Sequence, residues 1–509
     1  MNFSLNGSSF CINFKANIEI FRTNFGANLI FYPFFSNNSK TYRIFYILSM
    51  HSDLAKKIMD FCLDAGASFA EIYEEETRKS YLSLKDNAIE GASASIIYGI
   101  GIRMLYGTEV LYGFTSDSSE DVLLSIAKNL SLTRAQTGER AKMNDCSPMR
   151  SYTSFSKDCF KDPCVLGQSY KKDFLFAANS AARINPKILQ LEASIADSVQ
   201  NINIWNSEGL QVSDNRARTR FSVNVTAGEG SERTSSHESP GALGGFEFLD
   251  DLPIKELSAS CAERALRMLS APYVKGGQMP VIMGNAFGGV IFHEACGHPL
   301  ETEAVRRQAS PFCGKLGEQV AQPVLTAIDD GTLSGVWGSL AMDDEGMPTQ
   351  RTVLIENGIL KNFLSDRVGA KELNLPLTGS ARRESYKYAP VSRMRNTFIA
   401  PGDSDLEQMI ASADNGLYAA KMAGGSVNPA TGEFNFAVEE GYEIKNGKLG
   451  DAVRGATLIG LGHEILPKIS MVGNDFELAA GMCGASSGHI PVTVGQPSIK
   501  VDSILVGGR

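Results

Sequence analysis

The chain alternates between two hydrophobic periods. After Ser52, a residue suited to cap a helix, Leu54, Ile58, Phe61, Cys62 and Ala65 recur at helical spacing, and Gly66 suits a left-handed stop. The pattern then shifts to period two. Segments 70–75, 80–84, 95–104 and 110–115 alternate or are β-branched, which predicts strands. Residues 118–137 predict a second amphipathic helix, with Val122, Leu123, Ile126, Ala127 and Leu130 on one face, and 174–184 a third. Strands are expected again at 190–197, 201–207 and 219–227. A Gly-, Ser- and Glu-rich loop is expected at 228–245, and a helix at 254–269.

From about Gly276 the texture becomes Gly-rich and strand-rich. Asn357-Gly358 and Asn446-Gly447 each sit between strand-like runs, a strong two-residue hairpin signal. Phe434, Phe436 and Val438 alternate along one run. The fold class read from this is α+β. A mixed domain with an antiparallel sheet and flanking helices occupies 50–272, and a strand-rich domain occupies 273–509. Residues 1–49 do not share either pattern. They are crowded with Asn, Phe and Ile, and Glu19 is their single acid. Pro33 interrupts the apolar run 29–35 and no small-residue cleavage site follows, which argues against a secretory signal. The segment reads as a non-native or disordered extension, with the native start at Met50.

A 43% hydrophobic and 21% charged composition is that of a globular protein. The net charge of −9 offers no general attraction to nucleic acid or anionic lipid, so neither a nucleic-acid partner nor a membrane partner is expected. Nine widely spaced cysteines form no disulfide framework, as expected of reduced thiols in a cytoplasm.

The chemistry concentrates at His293-Glu294-x-x-x-His298. Two imidazoles can hold Zn²⁺, and an adjacent carboxylate can take a proton from water. The spacing is five rather than the four of a regular helix face, which would leave the histidines about 140° apart. They reach one ion only if the turn widens, as in a π bulge, or if the helix ends at Gly297 and Pro299. A pair of packed histidines is the plainer alternative. The third ligand stays open among Cys296, Cys313, Cys483, His463, His489 and nearby acids. Cys483 lies in Gly481-Met482-Cys483-Gly484, read as a loop.

Phe-His-Glu-Ala-Cys-Gly-His-Pro-Leu-Glu at 292–301, Gly-Ser-Ala-Arg-Arg-Glu-Ser-Tyr at 379–386 and Arg-Met-Arg-Asn-Thr-Phe at 393–398 recur in a known family. So do Gly-Ala-Thr-Leu-Ile-Gly at 455–460, Ile-Ser-Met-Val-Gly-Asn-Asp at 469–475, Cys-Gly at 483–484 and Gly-Gln-Pro-Ser-Ile-Lys-Val at 495–501. From Met50 onward the chain resembles the TldD branch of the TldD/PmbA metallopeptidases. The resemblance implies one zinc ion per catalytic chain, held by His293, His298 and Cys483, with Glu294 as general base. It implies unfolded or extended peptides as substrates, and a homodimer or a heterodimer with a PmbA-type subunit. Cys296 and Pro299 depart from the family's usual residues, and Cys296 becomes an alternative ligand or an oxidation site. Arg382, Arg383 and Arg393 are candidates for a substrate carboxylate or a dimer contact, against plain surface salt bridging. The competing functional classes are a non-catalytic peptide-binding or modulator subunit and a zinc hydrolase of other amides or esters.

Overall fold

A computed structural model describes residues 50–133, 141–156, 160–428 and 431–509, with the backbone of three short strands at Cys11–Asn13, Leu29–Ser36 and Ser39–Tyr46. The reading of 1–49 as an extension otherwise lies outside the described residues. The fold is α+β.

The first half is built on one twisted sheet. Its path runs Glu232–Glu238, Gln211–Glu229, Ile188–Asn206, Phe69–Lys85, Ala88–Tyr106, Glu109–Thr115, each antiparallel to the next. Side chains alternate between the faces of these strands. Ala70 and Ile72 pack with Ile100, Ile102 and Met104 beneath the helices Ser52–Asp64 and Glu120–Ser131. Further along the same sheet, Leu191, Ile195, Phe221 and Val223 pack beneath Pro163–Ala182 and Ile254–Ser270. The opposite face, carrying Glu71, Tyr73 and Glu75, is also buried, and it meets the second half of the chain.

That junction is ionic. Arg103 pairs with Glu71 and Glu345 at 2.7 Å each, and Arg383 pairs with Glu71 at 2.7 Å. Arg216 pairs with Asp214 at 2.9 Å and Asp344 at 2.7 Å. All these side chains are buried. Desolvated charges are tolerated only when neighbours complete them, so the pairs fix the two halves in one relative position.

The second half is two sheets around one large core. One follows the path Gly277–Met283, Gly416–Asn428, Glu433–Lys445, Thr457–Leu461, Ile499–Gly507, Ile469–Val472. The other runs Ile359–Leu360, Arg351–Glu356, Ala327–Asp330, Asn396–Ile399, Gly488–Gln496, Glu477–Ala485. Both Asn-Gly pairs make the expected hairpins, with positive φ at Asn357, Gly358, Asn446 and Gly447.

Three expectations need correction. Residues 70–75 and 80–84 belong to one 17-residue strand, and 190–197 and 201–207 to one 19-residue strand. Their polar middles pair across the sheet instead of turning. The expected loop at 228–245 contains the strand Glu232–Glu238, which folds back through Gly230. Its residues are polar, so no apolar alternation marks it, yet Ser236 is buried against Cys261. The expected loop around Cys483 is the edge strand Glu477–Ala485.

Glu71→Ala is expected to leave Arg103 and Arg383 short of a counter-charge and to destabilise the fold by about 3–5 kcal/mol. Denaturant unfolding against the parent protein measures it; an effect below about 1 kcal/mol would show that the junction is not held by these charges.

Candidate metal centre

The segment 286–300 is threaded between the two sheets of the second half. It begins with a tight turn at Ala286–Gly289, continues as one helical turn at Val290–Phe292, then widens. His293–Gly297 is a π turn, in which the His298 N–H donates to the His293 carbonyl five residues back. The i, i+5 spacing of the histidines is thereby brought onto one side, and the imidazole centroids lie 5.2 Å apart with the rings 79° to each other. Gly297 has ordinary helical φ, so its backbone freedom is not what the turn uses. A Cβ there would stand 2.2 Å from Met394 Sδ; the glycine lets the turn press against the Met394 side chain. Pro299 starts a short 3₁₀ turn that ends the helix.

The ligand atoms of His293, His298 and Cys483 lie within 4.8 Å of one another. Cys483 Sγ is 3.0 Å from His298 Nε2. On its other side the His298 ring presents Nδ1 to Glu301 Oε2 at 3.0 Å, which turns Nε2 toward the thiol. Glu301 in turn accepts from the Met394 N–H. Both ring nitrogens of His293 are buried with no hydrogen-bond partner among the described residues. Buried polar atoms left so are rare and ask for a missing partner. Two imidazoles and one thiol, converging with orphaned nitrogens, fit a tetrahedral zinc with one open position.

The electrostatics agree. Burial would push the Cys483 thiol up, but the imidazoles of His293 and His298 outweigh it and hold the group at about 3. Burial would lower His298, and Glu301 and Cys483 reverse this and hold it well above its usual range. Arg393 donates to the Cys483 carbonyl at 2.7 Å, and so fixes the ligand strand from behind.

Glu294 stands beside the trio, its Oε2 3.7 Å from His298 Nε2. With His293 it opens onto a cavity of about 670 Å³. Three strand edges wall this cavity: Glu477–Ala485, the stretch 420–422 and Glu232–Glu238. Cys296 faces the core instead, 2% exposed, with its thiol pushed up by burial.

The chain matches the models of PmbA/TldA metallopeptidase domain 1 over residues 70–132, the central domain over 161–269 and the C-terminal domain over 276–508. It is 34% identical over 468 residues to the metalloprotease TldD homolog of Buchnera aphidicola, covering 90% of this chain and 96% of that one. It belongs to the PmbA/TldD metallopeptidase family. The TldD homolog of Haemophilus influenzae is 33% identical, over 89% of this chain and 95% of its own. A Saccharolobus solfataricus relative named a zinc metalloprotease is 27% identical, over 87% of this chain and 98% of its own. Among solved structures, TldE from Thermococcus kodakarensis shares the fold, with TM-score 0.70 at 19% identity over 89% of this chain and 100% of that one. A Thermotoga maritima protein does so with TM-score 0.72 at 21% identity over 89% of this chain and 99% of that one.

The three candidate arginines are all buried, so none is a surface ion pair. Arg393 is engaged with Ser487, Gly488 and Cys483, and Arg383 with Glu71, Tyr112 and Asp344. Arg382 donates through Nη1 to the Met394 and Pro491 carbonyls. Sequence reasoning missed Glu301, which follows His298 by three residues, and Arg218 and Arg220, which alternate with Arg216 on one strand face. The Arg-x-Arg-x-Arg period of two was the available signal.

Glu301→Ala is expected to weaken metal affinity about 10–100-fold while the fold survives, because His298 loses its orienting acceptor; chelator competition reads this, and unchanged affinity would remove Glu301 from the site. In metal-free protein the Cys483 thiolate is expected to persist until the pH falls to about 3. The 240 nm absorbance of the parent protein minus that of Cys483→Ala follows it, and a midpoint near the usual thiol range of about 8.5 would contradict the arrangement.

Proposed function

We propose that the chain is a zinc-dependent peptidase that hydrolyses unstructured peptides, with His293, His298 and Cys483 as the metal ligands and Glu294 as general base. The observation that carries it is the converging trio, with His293 and Cys483 buried and both His293 nitrogens unpartnered among the described residues, next to an open-cavity carboxylate. Zinc in such a site supplies a Lewis acid that acidifies water and offsets charge on the carbonyl oxygen. Glu294 takes the proton from the attacking water and delivers it to the leaving amine. His298, steadied by Glu301, keeps its Nε2 aimed at the ion's position throughout. Cys483 reaches the same position from the edge strand.

Substrate choice follows from the cavity's walls. A strand edge recognises an extended backbone by main-chain hydrogen bonding, with little dependence on side chains. A folded protein has its backbone already paired and cannot enter this way. Processing of peptide precursors in the cytoplasm, by a homodimer or beside a PmbA-type subunit, completes the proposal. Among the described residues no helix is long and apolar enough to cross a membrane.

About one zinc per chain is expected by elemental analysis, lost in Cys483→Ala and kept in Cys296→Ala. Glu294→Gln should keep the metal and lose about 10²–10⁴-fold in kcat on an unstructured peptide. No zinc after supplementation, or full activity in Glu294→Gln, would overturn the mechanism. Equal cleavage of a native protein and its unfolded form would overturn the substrate class.

A further inference from the structure

A second cavity, of about 470 Å³, lies between the buried face of the first-half sheet and the strands Glu477–Ala485 and Gly488–Gln496. Met482 borders both this cavity and the one at the metal centre. Arg216, Arg218 and Arg220 project from one face of Gln211–Glu229. Arg216 and Arg218 line the second cavity and Arg220 lines the first, so this row of cations spans the two.

Arg216 has its acids, Asp214 and Asp344. Arg218 does not. It donates only to the Trp337 and Ser339 carbonyls, at 3.1 and 3.2 Å. Arg382, across the cavity, likewise donates only to carbonyls, those of Met394 and Pro491. Those bonds use Nε and Nη2 of Arg218 and Nη1 of Arg382, and Arg382 Nε is buried with no acceptor among the described residues. The two side chains belong to residues only 6% and 3% exposed.

The acids in the same wall are otherwise engaged. Asp197 is paired with Lys171, and Asp344 with Arg216. Glu75 accepts from the Tyr386 N–H and Glu384 from the His489 N–H. Among the described residues the wall thus holds two desolvated cations with no acid in ion-pair contact, although Asp344 acts on both from further away. Burial, and then the neighbouring Arg382 and Arg216, lower Arg218 to about 9. Burial also lowers Arg382 to about 9, against the opposing pull of Asp344. Both remain charged at neutral pH. A protein keeps unpaired buried cations at a cost unless an anion completes them.

We propose that this cavity binds a carboxylate of the substrate peptide through the free guanidinium nitrogens of Arg218 and Arg382. The inference rests on the peptidase reading, which puts a peptide in the neighbouring cavity. Planar guanidinium donors suit a carboxylate. Where recognition runs through the main chain, the C-terminal carboxylate is the one anion every peptide carries, so it is the source we assign. An acidic side chain offers the same chemistry.

The test compares one unstructured peptide in three forms: free acid, C-terminal amide, and amide with one internal Glu. Affinity for zinc-loaded Glu294→Gln is read by fluorescence anisotropy, which does not depend on cleavage. The free acid is expected to bind on the order of tenfold to a hundredfold tighter than the amide. In Glu294→Gln carrying Arg218→Gln, with its fold checked by thermal unfolding, the acid-to-amide ratio should fall toward one. Equal affinity for acid and amide, with the Glu-containing amide no tighter, would overturn the proposal. So would a preference that survives Arg218→Gln. Tighter binding of the Glu-containing amide alone would keep the pocket and move its source to a side chain. Should Arg218→Gln fail to fold, Arg218→Lys keeps a charge but loses the fork, and is expected to reduce the same ratio. If no peptide is cleaved by the parent enzyme and the acid still binds preferentially, the peptidase reading fails and the carboxylate pocket stands.

Discussion

Two histidines five residues apart come onto one side of this helix because the turn between them widens, and the second half of the chain is arranged to hold that one irregular turn. A π turn is less favourable than the α turn it replaces and persists where its surroundings impose it. Here they do so from three sides. Met394 fills the space beside Gly297, the 495 backbone fills that beside Gly289, and Gly462 meets the Ala295 carbonyl at a separation no side chain would permit. Cys483 then meets His298 from an edge strand whose carbonyl at that residue is held by Arg393.

The same economy of buried charge governs the junction between the halves. Arg103, Arg216 and Arg383 are each in ion-pair contact with an acid and act as fasteners. Arg218 and Arg382, a few ångströms of strand away, are completed only by carbonyl dipoles. The contrast separates a structural use of desolvated arginine from a ligand-directed one within a single interface.

Much of this was legible in the sequence, for definable reasons. The helices Ser52–Asp64 and Ile254–Ser270 carry one apolar face each, and the Asn-Gly turns require positive φ, so local rules found them. His293 and His298 announced a metal by residue type, and their awkward spacing announced a widened turn. Cys483 was different: from its surroundings alone it was one of several open candidates in an expected loop, and only the family resemblance singled it out. The strand Glu232–Glu238 escaped because its buried face is Ser and Thr rather than Val and Ile. Arg218 escaped because the Arg-x-Arg-x-Arg period marks a shared strand face but not its burial; the absence of an acid in contact is a property of the folded interface.

His298 and Cys483 touch across 185 residues of chain. Closing so long a loop early in folding is entropically costly, and its contacts reward the chain only once both sheets of the second half have formed. A nascent chain still short of Cys483 therefore has His293, His298 and Glu294 but lacks the thiol that meets them. The trio is thus assembled only when synthesis and folding are nearly complete, and under the proposed function its chemistry is withheld from unfinished copies of the chain.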